Sequence, residues 1–154
     1  MVKLLILDVD GVLTDGTITY DGLGREVKFF NTKDGFGIVK AQKEGIKVAV
    51  VSGRYSWQVE KRCRELGVEE VHQEISDKLS LYEKLKKKFN LKDQEIAAMG
   101  DDLPDLPVLE RAGISGAPAD AVPEVKVIVD FVSRREGGRG AVREFIDYLL
   151  KEKK

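Results

Sequence analysis

Three short, unbroken apolar runs, at residues 3–9, 46–51 and 96–99, constrain this chain more than any other feature. Each is bounded by polar residues or glycine, and helix-period segments lie between them, which is the pattern of buried parallel strands. Leu79, Tyr82, Leu85 and Phe89 recur at helical spacing, and Val142, Phe145, Ile146, Leu149 and Leu150 do so again near the end. Both segments predict amphipathic helices packed on a sheet. Strands alternating with helices need crossover connections, so the expected architecture is a three-layer α/β sandwich with ligands beyond the carboxyl ends of the strands. With 154 residues, 42% of them hydrophobic, the chain can bury one sizeable core and is too short for two, so residues 1–154 read as a single domain.

One stretch breaks the rhythm. Residues 17–20 and 25–30 flank the turn sequence Asp21-Gly22-Leu23-Gly24 and predict a β-hairpin after the first strand. Such a flap covers a pocket only in part, and no second insertion is long enough for a lid domain. The site is therefore expected to stay open unless a neighbouring subunit closes it. Charge narrows the classes further: 26 Lys+Arg against 27 Asp+Glu leave a formal charge of -1, so no global field holds nucleic acid or an anionic membrane. The apolar start meets Asp8 and Asp10 before a signal-peptide core or a membrane span could form. A single cysteine, Cys63, and a single histidine, His72, exclude an internal disulfide and a histidine-rich metal site, and suit a reducing, cytoplasmic setting. The lysines at 86–88 and in the tail 151–154 read as a solvated helix face and a frayed end.

Acidic residues gather where the strands should end. The first run closes on Asp8-Val9-Asp10-Gly11-Val12, and ideal alternation points both carboxylates the same way. Two like charges this close raise each other's proton affinity unless a cation sits between them; with a metal present, one stays ionised as a nucleophile while the other trades protons. The bland alternative is an acidic turn. The third run leads through Gly100 into Asp101-Asp102, with Asp105 across a short turn, so the two clusters together could supply oxygens to a magnesium ion. Asp102 and Asp105 suit supporting positions, and all three acids also suit a helix N-terminus. After the second run, Ser52-Gly53-Arg54 offers a hydroxyl and backbone N–H groups at an expected helix start, where phosphate oxygens bind. Lys78 opens the amphipathic helix and could neutralise a transferring phosphoryl group; alone it would be a surface lysine.

In their order along the chain, Asp8-x-Asp10-Gly11-Val12, Ser52-Gly53, Lys78 and Gly100-Asp101-Asp102-x-x-Asp105 resemble the four motifs of the haloacid dehalogenase superfamily. The resemblance implies a Rossmann-like core, Asp8 as nucleophile and Asp10 as general acid/base. It also implies Mg²⁺ held by the Asp8 and Asp101 carboxylates with the Asp10 backbone carbonyl, and phosphoryl oxygens bound by Ser52, Gly53 and Lys78. Within that superfamily, residues 10–16, 31–37, 52–54 with Arg62, and 137–144 resemble the 3-deoxy-D-manno-octulosonate 8-phosphate phosphatase family. This implies a phosphatase without a cap domain, a homotetramer whose hairpins help close neighbouring sites, and a glycine-rich tail that approaches an active site. It further implies substrate contacts from Asn31, Thr32, Lys33, Asp34, Gly35, Arg54 and Arg62.

Arg54 and Arg62 stand eight residues apart, about two helical turns, and so are expected to share a face and bind the substrate carboxylate. Arg62 also reads as a plain surface arginine. Val39 stands where many relatives carry arginine, which leaves open the choice between eight- and nine-carbon sugar acids. Residues 137–140 read equally as a flexible link and as a functional tail. Two rivals come from other classes. A signalling receiver domain would place adjacent acids early and the phosphorylated aspartate later, the reverse of the order here. A silent tetramerisation module would not need Asp8, Asp10, Lys78 and Asp101 intact.

Overall fold

The computed structural model describes residues 1–152; Lys153 and Lys154 of the expected frayed tail lie outside them. In chain order its elements are β1 (Leu4–Asp8), β2 (Thr19–Tyr20), β3 (Glu26–Val27), α1 (Thr32–Lys43), β4 (Lys47–Val51), α2 (Trp57–Glu65), β5 (Glu70–His72) and α3 (Lys78–Lys88). They continue with β6 (Ile96–Met99), α4 (Leu106–Arg111), β7 (Ile114–Ala117), α5 (Pro123–Lys126), β8 (Phe131–Val132) and α6 (Ala141–Glu152). The main sheet runs β5-β4-β1-β6-β7-β8, and every pairing in it is parallel. That is a doubly wound, Rossmann-like sandwich, as the alternation of apolar runs and helices predicts.

Strand alternation divides the core in two. Leu5, Leu7, Val48, Val50, Ala97 and Met99 face α1, α2 and α6, whereas Leu4, Ile6, Ala49, Val51, Ile96 and Ala98 face α3, α4 and α5. Because both faces are covered, the central strands carry no polar alternation and appear in sequence as unbroken apolar runs. On α6, Val142, Phe145, Ile146 and Leu149 form one buried stripe. The Phe145 ring lies so close to β7 that a Cβ on Gly116 would come within 2.9 Å of it. Truncating Phe145 to Ala removes about 3–5 kcal/mol by the usual cavity rule.

The hairpin is shorter than its sequence implies. Only Thr19 and Tyr20 pair with Val27 and Glu26, in a separate antiparallel ribbon. Asp21 builds the turn, accepting the backbone N–H groups of Leu23 at 2.8 Å and Arg25 at 3.0 Å and the Arg25 Nε at 2.7 Å. Pairing stops at residue 27 because Lys28 turns its ammonium towards the site and Phe30 packs against the core. Among the described residues this ribbon is the insertion that follows β1, and no cap domain is present. Among the described residues no helix is long and apolar enough to cross a membrane.

Candidate active site

Parallel pairing of β1 with both β4 and β6 brings three strand ends to one place: Asp8 stands beside Val51, and Leu7 beside Met99. Asp8, Asp101 and Asp105 each contribute a carboxylate oxygen to a cluster in which all three atoms lie within 4.8 Å of one another. Lys78, at the first position of α3, donates to Asp8 Oδ1 at 3.0 Å and to Asp105 Oδ1 at 2.6 Å. Asp105 Oδ2 accepts the backbone N–H groups of Asp101 at 3.0 Å and Asp102 at 3.3 Å, which pins the turn after β6. Asp102 accepts Leu103 N–H at 2.7 Å and starts the short 3₁₀ turn there.

Glycines make this density possible. Gly11 has φ +86°, and a Cβ there would lie 1.8 Å from Asp101 Oδ2, so a side chain would occupy the carboxylate's place. At Gly100 a Cβ would lie 2.5 Å from the Asp105 Cβ. The crowding has an electrostatic signature. Burial, with repulsion from Asp105, pushes the Asp8 carboxyl up to about 6 even though Lys78 pulls the other way. Burial, with repulsion from Asp8, pushes Asp101 to about 9. Burial works against the Lys78 ammonium, but Asp8 and Asp105 more than offset it and hold the lysine above its usual range. One ammonium thus faces three carboxylates, and a hard divalent cation is the ligand such a donor set fits.

Asp10 does not join this cluster. Strand β1 ends at Asp8, the backbone bends at Gly11, and Asp10 Oδ1 instead accepts from Lys28 Nζ at 2.7 Å. The two acids of the first motif therefore have different partners, contrary to the alternation argument, and the like charge acting on Asp8 comes from Asp105. The third carboxylate of the cluster is Asp105's, and both of its oxygens already accept hydrogen bonds, one from Lys78 and the other from the backbone of the turn.

Ser52 is 4% exposed and lies at the end of β4, its Oγ accepting Arg54 N–H at 3.2 Å. The expected helix start is displaced: α2 begins at Trp57, so Gly53 and Arg54 occupy a loop. Arg54 consequently shares no helix face with Arg62. It reaches the ribbon, its Nη2 3.1 Å from Glu26 Oε2, while its buried Nη1 has no hydrogen-bond partner. Arg62 packs over α1, where a Cβ on Gly35 would lie 2.4 Å from its Nη2. Asn31 caps α1 by accepting Lys33 N–H at 2.8 Å, and Thr32 and Lys33 are exposed in the first turn. Asp34, also expected to contact substrate, is 1% exposed, and its Oδ1 accepts Arg143 N–H at 3.0 Å, tying α1 to the start of α6.

Two features escape sequence reasoning, and a third, residues 137–140, reads in the sequence equally as a link and as a tail near the site. Lys28 and Glu26 bridge the ribbon to the site, and their opposite charges two residues apart on one strand face were the available signal. Thr14 is buried and its Oγ1 accepts Gly11 N–H at 3.4 Å and Gly16 N–H at 3.2 Å, bracing the first loop. Residues 137 and 138 are packed rather than flexible: a Cβ on Gly137 would lie 1.9 Å from the Gly11 carbonyl oxygen, and Gly138 donates its N–H to Val12 at 3.0 Å.

Comparison with known proteins agrees with this geometry. Residues 69–146 match the family model of haloacid dehalogenase-like hydrolases. The chain is 47% identical, over 97% of its length and 79% of the relative's, to 3-deoxy-D-manno-octulosonate 8-phosphate phosphatase of Escherichia coli strain K12. A crystal structure of the Yersinia pestis phosphatase of that name superposes with TM-score 0.95 at 42% identity, covering 97% of this chain and 81% of that one. The Moraxella catarrhalis phosphatase, solved in complex with magnesium, phosphate and a KDO molecule, also gives TM-score 0.95, at 37% identity and 97% and 86% coverage. With likeness along nearly its whole length, and with Asp8, Lys78 and Asp101 brought together at the strand ends, the chain belongs to the haloacid dehalogenase-like hydrolase family.

Proposed function

We propose that this chain is a magnesium-dependent phosphomonoesterase that hydrolyses 3-deoxy-D-manno-octulosonate 8-phosphate to the free sugar acid and phosphate. The observation that carries the reading is the excess of carboxylates over cations at Asp8, Asp101 and Asp105, placed where β1 and β6 end together and beside Lys78. The likeness to phosphatases of that name, one of them binding magnesium, phosphate and KDO, supplies the substrate.

In this reading an Asp8 carboxylate oxygen attacks phosphorus in line, the bond from phosphorus to the sugar oxygen breaks, and Asp10 delivers a proton to the departing oxygen. Asp8 is left as a phosphoaspartate. Asp10, now a carboxylate, takes a proton from water, whose oxygen attacks the same phosphorus; phosphate leaves and Asp8 is regenerated. Lys78 exchanges its contact with Asp8 for the phosphoryl oxygens, and Ser52 Oγ with the Gly53 N–H binds the remaining oxygens. When held by Asp8, Asp101 and the Asp10 backbone carbonyl, magnesium supplies positive charge that keeps Asp8 ionised and offsets charge on the transferring group. Asp102 and Asp105 hold the turn that carries Asp101.

Arg54 and Arg62 are the donors assigned to the substrate carboxylate, with Asn31, Thr32, Lys33 and Gly35 lining the sugar's path. Val39, half-buried in α1, offers no charged donor there, and so keeps a nine-carbon sugar acid as the second reading. The ribbon exposes Ile18, Tyr20 and Leu23, with Phe29 just beyond it, and this apolar surface supports a homotetramer in which ribbons close neighbouring sites. The one cysteine, buried and with its thiol pushed up to about 12 by burial, suits a cytoplasmic setting. Phosphate release from a panel of phosphorylated sugar acids with Mg²⁺ tests the reading. The eight-carbon substrate is expected to lead by about tenfold or more in kcat/KM over phosphosugars lacking a carboxylate. Equal turnover of both kinds rejects the sugar-acid assignment, and a stable tetramer releasing no phosphate from any of them establishes a silent module instead.

A further inference from the structure

We infer that Lys28, carried by the flap just after β3 and held by Glu26, is a positioning residue that fixes the Asp10 carboxylate for proton transfer, an inference that rests on the phosphatase reading above. The Lys28 side chain is 3% exposed, and its Nζ lies 2.7 Å from Asp10 Oδ1 and 2.7 Å from Glu26 Oε1. An ammonium so far from water is stable only where anions surround it, and here each of its two anions has a second duty. Glu26 continues to Arg54 through its other oxygen, at 3.1 Å, and its backbone carbonyl accepts the Gln58 side-chain amide. Asp10, Lys28, Glu26 and Arg54 thus form a chain of alternating charge from the proton-transfer group to the arginine assigned to substrate.

The consequence for Asp10 is geometric. With Oδ1 claimed by Lys28, Oδ2 is the oxygen that exchanges the proton, and the carboxylate plane is set by the flap instead of turning freely. Glu26, itself shared with Arg54, holds the lysine from the side away from Asp10, so the ammonium stays where it meets Oδ1. A residue that merely anchored the ribbon would affect every substrate alike. One that positions the acid matters most when the leaving oxygen needs a proton, as a sugar alkoxide does and a nitrophenolate does not.

The test uses the full chain with Mg²⁺ and compares single-turnover cleavage of the sugar-acid phosphate with that of p-nitrophenyl phosphate. Lys28→Met is expected to slow the sugar substrate about 30-fold while changing the aryl substrate less than about threefold, within the range that one acid–base group contributes. Lys28→Arg, which keeps a charged donor, recovers most of the loss. Lys28→Met leaves two carboxylates unpaired, so the double variant Glu26→Gln with Lys28→Met is measured beside it. That variant is expected to melt near the wild-type temperature and to discriminate the two substrates in the same way. Equal losses on both substrates in the folded double variant, or no loss on either, overturn the inference. A wild-type chain inactive on both substrates overturns the phosphatase reading, and the inference with it.

Discussion

Strand β6 has an aspartate before its start and another after its end, and the two could hardly differ more. At the amino end, Asp93 accepts Tyr82 Oη at 2.8 Å, Lys86 Nζ at 3.0 Å and Arg111 Nε at 3.0 Å. Desolvation pushes this carboxyl up, but Arg111, Lys86 and Tyr82 prevail and hold it near 2. At the carboxyl end, Asp101 meets two more carboxylates and is driven to about 9. Acidity is therefore no mark of a site in a chain where a third of the residues are charged; uncompensated acidity is. The fold pairs Asp93 with cations of its own chain and leaves the strand-end cluster one ammonium among three carboxyl groups.

Removing a charge from each end separates the two roles. Asp8→Asn is expected to cut phosphate release by about four orders of magnitude or more, the scale of losing a nucleophile, while folding normally because one repelling charge is gone. Near-normal turnover in that variant ends the nucleophile assignment and with it the contrast between the two ends.

Metal removal should produce the next largest effect. The Asp8 and Asp101 carboxyls are raised to about 6 and about 9 in the fold, from the ordinary aspartate value of 3.8, so between those limits the folded state holds more protons than the unfolded one. In chelator, stability is then greatest at low pH and falls as pH rises from about 4 towards 9. Added Mg²⁺ reverses the fall, by about 2.7 kcal/mol at a hundredfold excess over its Kd. Melting temperatures measured with chelator and with Mg²⁺ at pH 5 and pH 8.5 decide this; curves with the same pH slope in both would show that the cluster binds no cation.

The smallest effect belongs to the amino end. Asp93→Asn should leave turnover unchanged and lower stability by about 1 kcal/mol at pH 7, the scale of an exposed charge network. Because the Asp93 carboxyl is lowered, this contribution is present above its unfolded value and disappears as pH falls towards 2. A tenfold drop in turnover would erase the distinction between structural and functional acids.

Much of this was legible in the sequence because the central strands are buried on both faces. Residues 3–9, 46–51 and 96–99 announced β1, β4 and β6, whereas β5, β7 and β8 did not stand out. β5 and β8 are short outer strands, and β7 places Ser115 and Gly116 at its middle, where Phe145 takes the space. In the site, Asp8, Lys78 and Asp101 converge as their order along the chain implied. What the sequence concealed depends on where the backbone bends. Gly11 sends Asp10 to the ribbon, α2 starts late enough to leave Arg54 in a loop, and Asp34 turns inward to α6. Periodicity carries no information about such bends, since each is fixed by a partner far along the chain.

The fit of residues 137 and 138 against the loop after β1 ties the two ends of the chain to one another. All four signature segments lie within the first 105 residues, yet the loop bearing Asp10 is braced by a stretch that follows β8 in the sequence. A chain cut before that stretch would contain each chemical group and lack the buttress that holds the first loop, so the four motifs alone do not make a complete site.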